Sequence, residues 1–563
     1  MFVRAYPTLA LAAALSLSVG APLASQSVDD ARLVRAAPGE WLSYGRDYAE
    51  THYSPLTQID TENVRRLVPA WTWDIPKSGS RLEATPIVAD GVIYATGPKS
   101  FVFALDARTG QRLWTWDPAI PDETEGGPSV CCGDVNRGVA VYGDKVFVGL
   151  LDGRLVALDR ESGTVVWNVQ TTPTGTDYSI TMAPRVVKGN VIIGNSGAEY
   201  GVRGYVSAYN ADTGRMAWRW YTVPGNPADG FENEAMRRAA ETWTGQWWIV
   251  GGGGTVWDGM AYDPVLDLIY IGTGNGAPWS RDERSPGGGD NLYLSSIVAL
   301  RAETGEYVWH YQTTPGDDWD FTAVQPLMLL DLVIDGRQRA VIVQAPKNGF
   351  FYVVDRITGE FISAEGFADQ ITWATGVDQE TGRPIETPEA RYGRTGRGVY
   401  LSPGPTGAHN WWPMSWNPST GLVYLPMQNT NFYYVRQTVE YRRGQWNTGT
   451  GRGSAGVERP EITEPRTALK AWDPARNAQA WMVPAVGGNG GTLSTAGNLV
   501  FWGAGDRLIA LDARDGRELW GHQVGNGTAT PVSYELDGVQ YVTVMAGAAG
   551  GQLGPRVWTF KLQ

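Results

Sequence analysis

ALDARTGQRLW, residues 104–114, is the clearest copy of a motif that recurs along the chain. The motif predicts a strand, a turn of the Asp-x-x-Thr-Gly type and a second strand that ends in tryptophan. Glycine permits the positive φ of such a turn, and the aspartate side chain caps it. Other full or degenerate copies occupy residues 157–167, 208–218, 299–309, 353–362, 471–481 and 510–520. Residues 417–426 keep only a turn and one strand of the motif. The chain is therefore built on a repeat.

The spacing of the turns indicates the architecture. Gly110, Gly163 and Gly214 lie about fifty residues apart, a period that is typical of repeat proteins. Alternating strands precede the motif, as at residues 85–96, and four strands per unit make a propeller blade. We therefore predict an all-β fold, an eight-bladed β-propeller with one blade hidden in the longer interval between Gly214 and Gly305. The tryptophans expected to pack between neighbouring blades are Trp114, Trp167, Trp218, Trp309 and Trp520.

The composition favours one closed propeller over several smaller domains. The chain has 71 Gly and 34 Pro, which suits many short strands and turns, and its 25 Trp exceed what an ordinary core needs. A parallel α/β sheet would require helical crossovers that the sequence does not show. The net charge of −13 and the lack of a basic run argue against nucleic acid as a partner.

The N-terminus has the pattern of an export signal. Arg4 precedes an apolar run at residues 8–19, and small residues follow at 21–27. The run is too short to cross a bilayer. We therefore predict a signal peptide at residues 1–26, a single domain at residues 27–563 and no transmembrane segment; an uncut N-terminal anchor is the alternative.

The only two cysteines of the chain, Cys131 and Cys132, are adjacent. A trans peptide holds their Cα atoms about 3.8 Å apart, below the roughly 4.4–6.8 Å of an ordinary disulfide. A bond between them would be strained and easily reduced, which is typical of places where something binds or reacts. Two free buried thiols are the alternative, although export to an oxidising compartment favours the bond.

Candidate functional residues lie where the sequence departs from the repeat. Glu199 and Asn275 occupy glycine-rich turns, Trp257 follows four glycines, and the segment 313–326 carries three carboxylates. Glu199, Asn275 and an aspartate near position 320 offer hard oxygen ligands of the kind that favours Ca(II). Each of them alone is better explained as a turn cap or a solvated acid. The four histidines lie in unrelated contexts, and no CxxCH sequence is present to attach a c-type haem.

Several of these motifs occur together and in one order: YGRDYAETHYSPL, CCGDVNRG, SGAEYGVRG, the TGN and DDWD turns, APKNGFFYVVDR and the repeated ALD-x-x-TG-x-x-x-W units. In this the chain resembles the pyrroloquinoline quinone (PQQ) dependent alcohol dehydrogenases of the methanol and ethanol type. The resemblance covers nearly the whole chain after the signal. It implies an eight-bladed propeller with PQQ and a divalent metal near its axis. It also implies a periplasmic enzyme that oxidises primary or secondary alcohols and passes electrons to a separate cytochrome c.

The resemblance also assigns roles to matching residues. It implies a Cys131–Cys132 disulfide against one face of the quinone and Trp257 against the other. It implies that Asp320 is the catalytic base and that Lys347 lies beside the quinone oxygens. The implied metal ligands are Glu199, Asn275 and Asp320. The other implied cofactor contacts are Glu83, Arg137, Thr181, Ser196, Gly197, Ala198, Thr255, Asn410 and Trp472.

One position bears on the metal. Members of this family that use lanthanides carry an additional aspartate two residues after the catalytic one, and here that position is Thr322. We therefore expect calcium rather than a lanthanide. Asp318, two residues before Asp320, is a carboxylate to which the sequence assigns no role.

Two other classes of protein share part of this pattern. A cofactor-free propeller scaffold, or outer-membrane assembly protein, would share the repeat but would not need the cysteine pair, the oxygen ligands and Lys347 together. A quinohaemoprotein with its own cytochrome domain would need a CxxCH sequence. The substrate is open: the loop at 430–466 either roofs a pocket for a polyol, sugar or other bulky alcohol or is a surface insertion. A homodimer is one of the assemblies left open.

Overall fold

The computed structural model describes residues 1, 27–77, 79, 81–122, 127–173, 177–438, 440–442, 444–451, 456–548 and 553–563. The expected signal peptide, apart from Met1, lies outside these residues. None of the described helices is both long enough and apolar enough to cross a bilayer.

In the described residues, eight blades of four antiparallel strands follow one another along the chain, and a short fifth strand joins one of them in parallel. Blades 1 to 4 consist of Ile87–Ala89, Val92–Thr96, Val102–Asp106 and Arg112–Trp116; Ala140–Tyr142, Lys145–Gly149, Arg154–Asp159 and Val165–Gln170; Arg185–Val187, Asn190–Gly194, Tyr205–Asn210 and Met216–Tyr221; and Met260–Asp263, Leu268–Gly272, Ser296–Arg301 and Tyr307–Gln312. Blades 5 to 8 consist of Leu327–Ile334, Arg337–Gln344, Phe350–Asp355 and Phe361–Gly366; Ser415–Asn417, Leu422–Gln428, Thr467–Asp473 and Ala478–Ala485; Asn489–Thr495, Leu499–Ala504, Arg507–Asp512 and Glu518–Gln523; and Val532–Leu536, Val539–Ala546, Arg556–Leu562 and Leu67–Asp74. The predicted eight-bladed propeller is confirmed.

Blade 8 closes the ring with strands that are distant in sequence. Leu67–Asp74 pairs antiparallel with Arg556–Leu562. The predicted extra blade between Gly214 and Gly305 is absent from that fully described interval, which instead holds loops and the helix Glu234–Ala240 between blades 3 and 4. The predicted number of blades is therefore correct, but the eighth arises from ring closure.

Tryptophan side chains join neighbouring blades. The ring of Trp114 covers Gly163 of the next blade, where an added Cβ would lie 2.5 Å from the ring, and its Nε1 donates to Arg160 O at 3.0 Å. Trp520 Nε1 donates to Leu67 O at 3.1 Å and thereby joins blades 7 and 8. Other rings that cover the turn glycine of the next blade form the pairs Trp71–Gly110, Trp167–Gly214, Trp218–Gly305, Trp309–Gly359 and Trp481–Gly516. The predicted packing role of the repeat tryptophans is confirmed.

The seam between blades 5 and 6 is different. Here Asn477 takes the place of the turn glycine, and its Nδ2 donates to Phe351 O at 3.2 Å and to Ser363 Oγ at 2.9 Å in blade 5. Trp472 is buried in this seam, with Nε1 donating to Asn477 Oδ1 at 2.8 Å and its ring 5.6 Å from that of Phe351. Trp472 is therefore an inter-blade residue, and its predicted contact with the cofactor stays a prediction.

Residues 41–54 fill the hub of the propeller on the side away from the Cys131–Cys132 turn. This hub segment contacts the first strand of six blades, through Trp41 to Val88, Tyr48 to Val186 and Tyr262, Ala49 to Leu329, Thr51 to Trp416 and His52 to Ser494. Its last two residues, Tyr53–Ser54, pair in parallel with blade 7. Because the same edge strand of each blade is contacted, the segment lies on the axis and closes the central channel.

The remaining described elements lie outside the eight blades. The helices are Asp30–Val34, Glu234–Ala240, Arg281–Arg284 and Tyr392–Thr395, and the 3₁₀ turns are Val64–Arg66, Pro98–Ser100, Ala198–Tyr200, Pro227–Asp229 and Trp247–Ile249. Three two-stranded pairs are Gly252–Gly253 with Gly276–Ala277, Ala374–Val377 with Pro384–Glu386, and Val399–Leu401 with Phe432–Tyr434. Among them, the turn Ala198–Tyr200 carries Glu199 on the face of the propeller where the site lies.

Candidate active site

A cavity of about 410 Å³ lies at this face of the propeller and collects most of the predicted site residues. The predicted residues that line it are Cys131, Cys132, Arg137, Thr181, Ser196, Gly197, Glu199, Thr255, Trp257, Asn275, Asp320, Lys347 and Asn410. They come from connections before or within blades 2 to 6, so loops that are far apart in sequence converge here. Glu83, Ala198 and Trp472 are not part of the lining.

Arg137 forms one wall of the cavity. Its Nη1 donates to Thr181 Oγ1 at 2.8 Å, and that hydroxyl is in turn 2.8 Å from Ser196 Oγ. Its guanidinium stacks over the Trp257 ring, 5.0 Å from the centroid. Glu83 lies behind this wall, where one oxygen pairs with Arg137 Nη2 at 2.7 Å. Glu83 therefore positions the arginine rather than facing the cavity.

Glu199 and Asn275 meet on another wall. The Nδ2 of Asn275 donates to Glu199 Oε1 at 3.1 Å, and the Nε1 of Trp279 donates to the same oxygen at 3.2 Å. Glu199 is central in the 3₁₀ turn Ala198–Tyr200, so buried Ala198 supports the glutamate from within the turn.

Asp320 faces Lys347 across the cavity floor. Lys347 Nζ donates to Asp320 Oδ2 at 2.9 Å, and both side chains are almost fully buried. Burial raises the pKa of Asp320 well above its usual value; the charge of Lys347 opposes this shift and the charge of Glu199 adds to it. With Glu199 and Asn275, Asp320 offers two carboxylates and an amide oxygen, a set of hard donors for a divalent cation. The described residues contain no group of three His, Cys, Asp or Glu that would hold a metal without the amide.

Asp318, to which the sequence assigned no role, points away from the cavity. Its Oδ1 accepts a hydrogen bond from Arg281 N at 2.5 Å, and its Oδ2 lies 3.4 Å from Arg391 Nη1. Thr322 is also turned away, since its hydroxyl contacts the amide of Gln325 at 3.0 Å. Asp318 therefore anchors the turn that carries Asp320, and Thr322 leaves the floor of the cavity without a third carboxylate.

The cysteine pair differs from the prediction. Cys131 and Cys132 line the cavity, but their Sγ atoms are 3.0 Å apart, beyond the roughly 2.05 Å of a disulfide, and both are free thiols. The contact between the thiols raises the pKa of Cys131 well above its usual value and lowers that of Cys132. The structure therefore places the pair as expected and shows it unbonded.

Aromatic side chains that were not predicted form the mouth of the cavity. The additional lining residues are Arg81, Trp279, Pro405, Thr406, Trp411, Trp412, Gln428 and Trp446. Trp411 and Trp412 follow Asn410 directly, so the HNWWP stretch held a signal for them. Trp446 lies in the loop 430–466 and packs edge-on against Trp279, with centroids 6.3 Å apart. Trp446 is the residue through which the described part of this loop contributes to the cavity.

A group of buried ionisable side chains, the hub cluster, connects Arg137 to the hub segment. It comprises Tyr44, Glu50, His52, Glu83, Arg137, Arg185 and Asp258. Arg137 Nε lies 3.5 Å from Asp258, and Arg185 Nε donates to Glu50 at 2.7 Å. Burial raises the pKa of Asp258 to about 6 and that of Glu50 to about 7, and it lowers the pKa of His52 to about 3. The site therefore rests on a poorly solvated ionic layer.

Comparison with known proteins agrees with this architecture. Residues 41–364 and 470–542 match the PQQ family described as glucose/ethanol/alcohol dehydrogenase, beta-propeller domain. A quinohemoprotein alcohol dehydrogenase of Pseudomonas putida is 54% identical over 95% of this chain and 78% of its own length. A 1-butanol dehydrogenase (cytochrome c) of Thauera butanivorans is 47% identical over 92% of this chain and 75% of its own. The crystal structure of quinohemoprotein alcohol dehydrogenase from Comamonas testosteroni superposes with a TM-score of 0.90 at 47% identity, covering 95% of this chain and 82% of that one.

The chain belongs to the PQQ-dependent alcohol dehydrogenase family, and it is an oxidoreductase of that class. A cofactor-free scaffold is thereby set aside. Two of the three relatives above are named quinohemoproteins, and the chain spans roughly three quarters to four fifths of their length. Within its 563 residues the two adjacent cysteines form no CxxCH sequence.

The residues around the cavity fit PQQ, a planar polyanion. The cations Arg81, Arg137 and Lys347 and the hydroxyls of Thr181, Ser196 and Thr255 surround a space bounded by the Trp257 indole and the cysteine pair. Cations and hydrogen-bond donors suit its carboxylates, and an indole suits its ring. The donor set Glu199, Asn275 and Asp320 suits a hard divalent ion.

Proposed function

We propose that this chain is a periplasmic PQQ-dependent dehydrogenase that oxidises primary or secondary alcohols to aldehydes or ketones, with calcium at its metal site and a cytochrome c as electron acceptor. The observation that carries the proposal is the meeting of Glu199, Asn275, Asp320 and Lys347 with Arg137 and Trp257 around one cavity. An ion-pairing wall, an aromatic wall and a carboxylate floor are the parts that this chemistry requires.

Arg137, Thr181, Ser196 and Thr255 would hold the cofactor carboxylates, with Trp257 and the cysteine pair against its two faces. Glu199, Asn275 and Asp320 would hold the calcium ion. When bound, the quinone and its metal supply a polarised carbonyl that accepts the hydride of the alcohol carbon.

The chain's own contribution is proton transfer and orientation. Asp320 would accept the hydroxyl proton of the alcohol on a carboxylate oxygen, which lies within the cavity and is oriented by Lys347 Nζ at 2.9 Å. Burial raises the pKa of Asp320, so the carboxylate needs the positive charges of the site to be ionised near neutral pH. Lys347 therefore has a second task, which is to keep the base unprotonated.

The aromatic mouth indicates the substrate class. Trp279, Trp411, Trp412 and Trp446 line the same cavity as Asp320 with apolar surface, which suits the alkyl substituents of an alcohol. The name of the Thauera butanivorans relative, 1-butanol dehydrogenase (cytochrome c), is in line with aliphatic alcohols and with a cytochrome c acceptor. We therefore favour short aliphatic alcohols within the wider range of alcohols that the sequence left open.

Two observations support the remaining parts of the proposal. Thr322 takes the place of the additional aspartate of lanthanide-using members and is engaged with Gln325, which favours calcium. The apolar run at residues 8–19 and the basic Arg4 have the pattern of an export signal, which favours the periplasm.

Reconstitution tests this proposal. Purified protein freed of cofactor would be loaded with PQQ and Ca(II), with PQQ alone, or with PQQ and a lanthanide, and assayed with ethanol, butanol, glycerol and glucose and an artificial electron acceptor. We expect turnover only with PQQ and metal together, highest with Ca(II) and with the aliphatic alcohols. Turnover of none of these substrates under any loading would refute the proposal.

A further inference from the structure

A second cavity, of about 350 Å³, lies beside the active-site cavity. Its wall includes the side chains of Trp247, Ile249, Val250, Pro286 and Tyr441. The residues at its rim are exposed, Ile249 to 57%, whereas those at its floor, Arg284 and Asn447, are 2% and 3% exposed. It is therefore an apolar recess that opens to solvent and has a polar, buried floor.

The two cavities share a thin wall. Pro278 lines the second cavity and its neighbour Trp279 lines the active-site cavity, while Asn447 lines the second and its neighbour Trp446 lines the first. The wall is fixed to the proposed metal site, because Asn447 N donates to Glu199 O at 2.8 Å. A molecule in the second cavity is thus separated from the active-site cavity by a wall that includes the neighbouring residues Trp446 and Asn447.

The charged groups of the second cavity are already paired within the protein. Arg284 Nη1 donates to Pro278 O at 2.5 Å and to Trp279 O at 2.8 Å, and its Nη2 donates to Asp317 O at 2.5 Å. Glu283 Oε1 accepts a hydrogen bond from Arg436 Nε at 2.6 Å. Because these bonds use both charges, the recess offers no free charge to a ligand and suits a neutral one.

One polar atom of the floor remains without a partner. Asn447 Oδ1 is buried and accepts no hydrogen bond from any residue that the structure describes. Buried acceptors are almost always satisfied, and one that the protein leaves open marks a place for a bound donor. The recess therefore combines an apolar wall with a single buried acceptor.

We propose that this recess is a second binding site for a neutral amphiphile, an aliphatic alcohol whose hydroxyl donates to Asn447 Oδ1 and whose alkyl chain lies against Trp247, Val250 and Tyr441. That the ligand is also the substrate rests on the proposed function. In that case an alcohol binds in the recess first and then passes Trp446 to enter the active-site cavity. Binding itself follows from the recess and does not require turnover.

Fluorine NMR of a trifluoromethyl-terminated butanol, added to the protein loaded with PQQ and Ca(II) and without electron acceptor, tests the proposal. We expect two binding components. Val250→Trp fills the recess and should remove one of them, and Val265→Trp, at a valine that is 89% exposed on blade 4, should keep both. Ile249→Trp repeats the test at the exposed rim in case Val250→Trp does not fold. Two components in a folded filled variant would overturn the proposal.

The role of the acceptor is tested separately. Asn447→Leu keeps the backbone N–H that bonds Glu199 and removes Oδ1, so it should weaken the second component about fivefold, the effect of losing one hydrogen bond. The methyl ether of the same probe, which lacks the donor, should bind wild type as weakly as the alcohol binds this variant. Unchanged affinity in either case would refute the hydroxyl contact. Because no signal depends on oxidation, a lack of alcohol turnover would refute the proposed function and leave this result standing.

Discussion

Asp320 has a φ of 66°, a left-handed backbone conformation that a non-glycine residue keeps only where its surroundings impose it. The surroundings are visible in the same turn. Asp317 Oδ1 accepts hydrogen bonds from Trp319 N at 3.1 Å and Phe321 N at 2.9 Å, and Asp318 is held by Arg281 N. Two neighbouring carboxylates are thus used to aim the third at the cavity.

Asp320→Asn is expected to lower kcat by roughly a thousandfold, within the range for loss of a general base, while the fold and PQQ binding are kept. Asn retains the size of the side chain but not its capacity to take a proton. The measurement is steady-state alcohol oxidation of the loaded protein, with cofactor binding followed by absorbance. Asp318→Asn is the matched control one carboxylate away: it should lower stability and retain most of the turnover. Full activity in Asp320→Asn would remove this residue from the role of base.

Between elements, the tryptophan on a turn glycine is the unit that joins the blades. Gly163 has a φ of 70° and lies under the Trp114 ring, whereas Gly421 has a φ of 68° in an equally bonded turn with nothing within 4 Å of an added Cβ. The turn bonds are alike, with Gly163 N to Asp159 O at 2.8 Å and Gly421 N to Asn417 O at 2.9 Å. The two turns share this backbone bond and a positive φ, and only at Gly163 does a tryptophan ring lie against the added Cβ.

Gly421→Ala is expected to lower the free energy of unfolding by about 1–2 kcal/mol, the cost of a left-handed alanine. Gly163→Ala is expected to lower the free energy of unfolding by the same amount and by about 1–3 kcal/mol more, because its Cβ overlaps the Trp114 ring and the seam has to open. Denaturant unfolding of both variants and of wild type measures the difference. Equal losses for the two variants would show that the seam does not depend on this contact.

The repeat made the strands and the seams predictable, because most copies carry their own turn glycine and tryptophan. Ring closure was not predictable in the same way: Leu67–Asp74 joins blade 8 through a pairing with the other end of the chain, which leaves no local signal. The site was predicted best where short motifs interrupt the repeat, as at Glu199 and Asp320. Trp472 does not line the cavity, and its AWDP context is itself a copy of the repeat. The sequence did not indicate Trp446, which lies in a loop without periodicity.

At the scale of the whole molecule, the hub is closed by residues 41–54 and by the hub cluster above them. Asp258 illustrates the cost of this arrangement. Both of its oxygens are buried without a hydrogen bond from any described residue, and the nearest cation, Arg137 Nε, is 3.5 Å away. The other charges that act on it are those of Arg185, which lowers its pKa, and Glu83, which raises it. A propeller with a filled hub therefore keeps an ionisable group where water does not solvate it.

The stability of the protein without cofactor should consequently depend on pH through Asp258. Its pKa rises from 3.8 to about 6 on folding, because burial outweighs the two arginines. Between these values the folded state binds the proton more tightly than the unfolded state, so the contribution of Asp258 to stability is complete below pH 4 and is lost as the pH rises through 6. The loss amounts to about 3 kcal/mol at 1.36 kcal/mol per unit.

The asparagine introduced by Asp258→Asn does not titrate. Comparison with this variant therefore isolates the contribution of Asp258 to the pH dependence of stability. We expect the free energy of unfolding of wild type minus that of the variant to fall by about 3 kcal/mol in total from acid to neutral pH, with most of the fall between pH 4 and 6. Urea unfolding at closely spaced pH values measures the difference, and an unchanged urea dependence would show that both proteins unfold from the same native state. The comparison cancels the titrating groups that do not interact with Asp258; Glu50 keeps a smaller contribution, because the charge of Asp258 raises its pKa. A difference that stays constant with pH would mean that Asp258 is solvated in the native protein and that the hub channel admits water as far as Arg137.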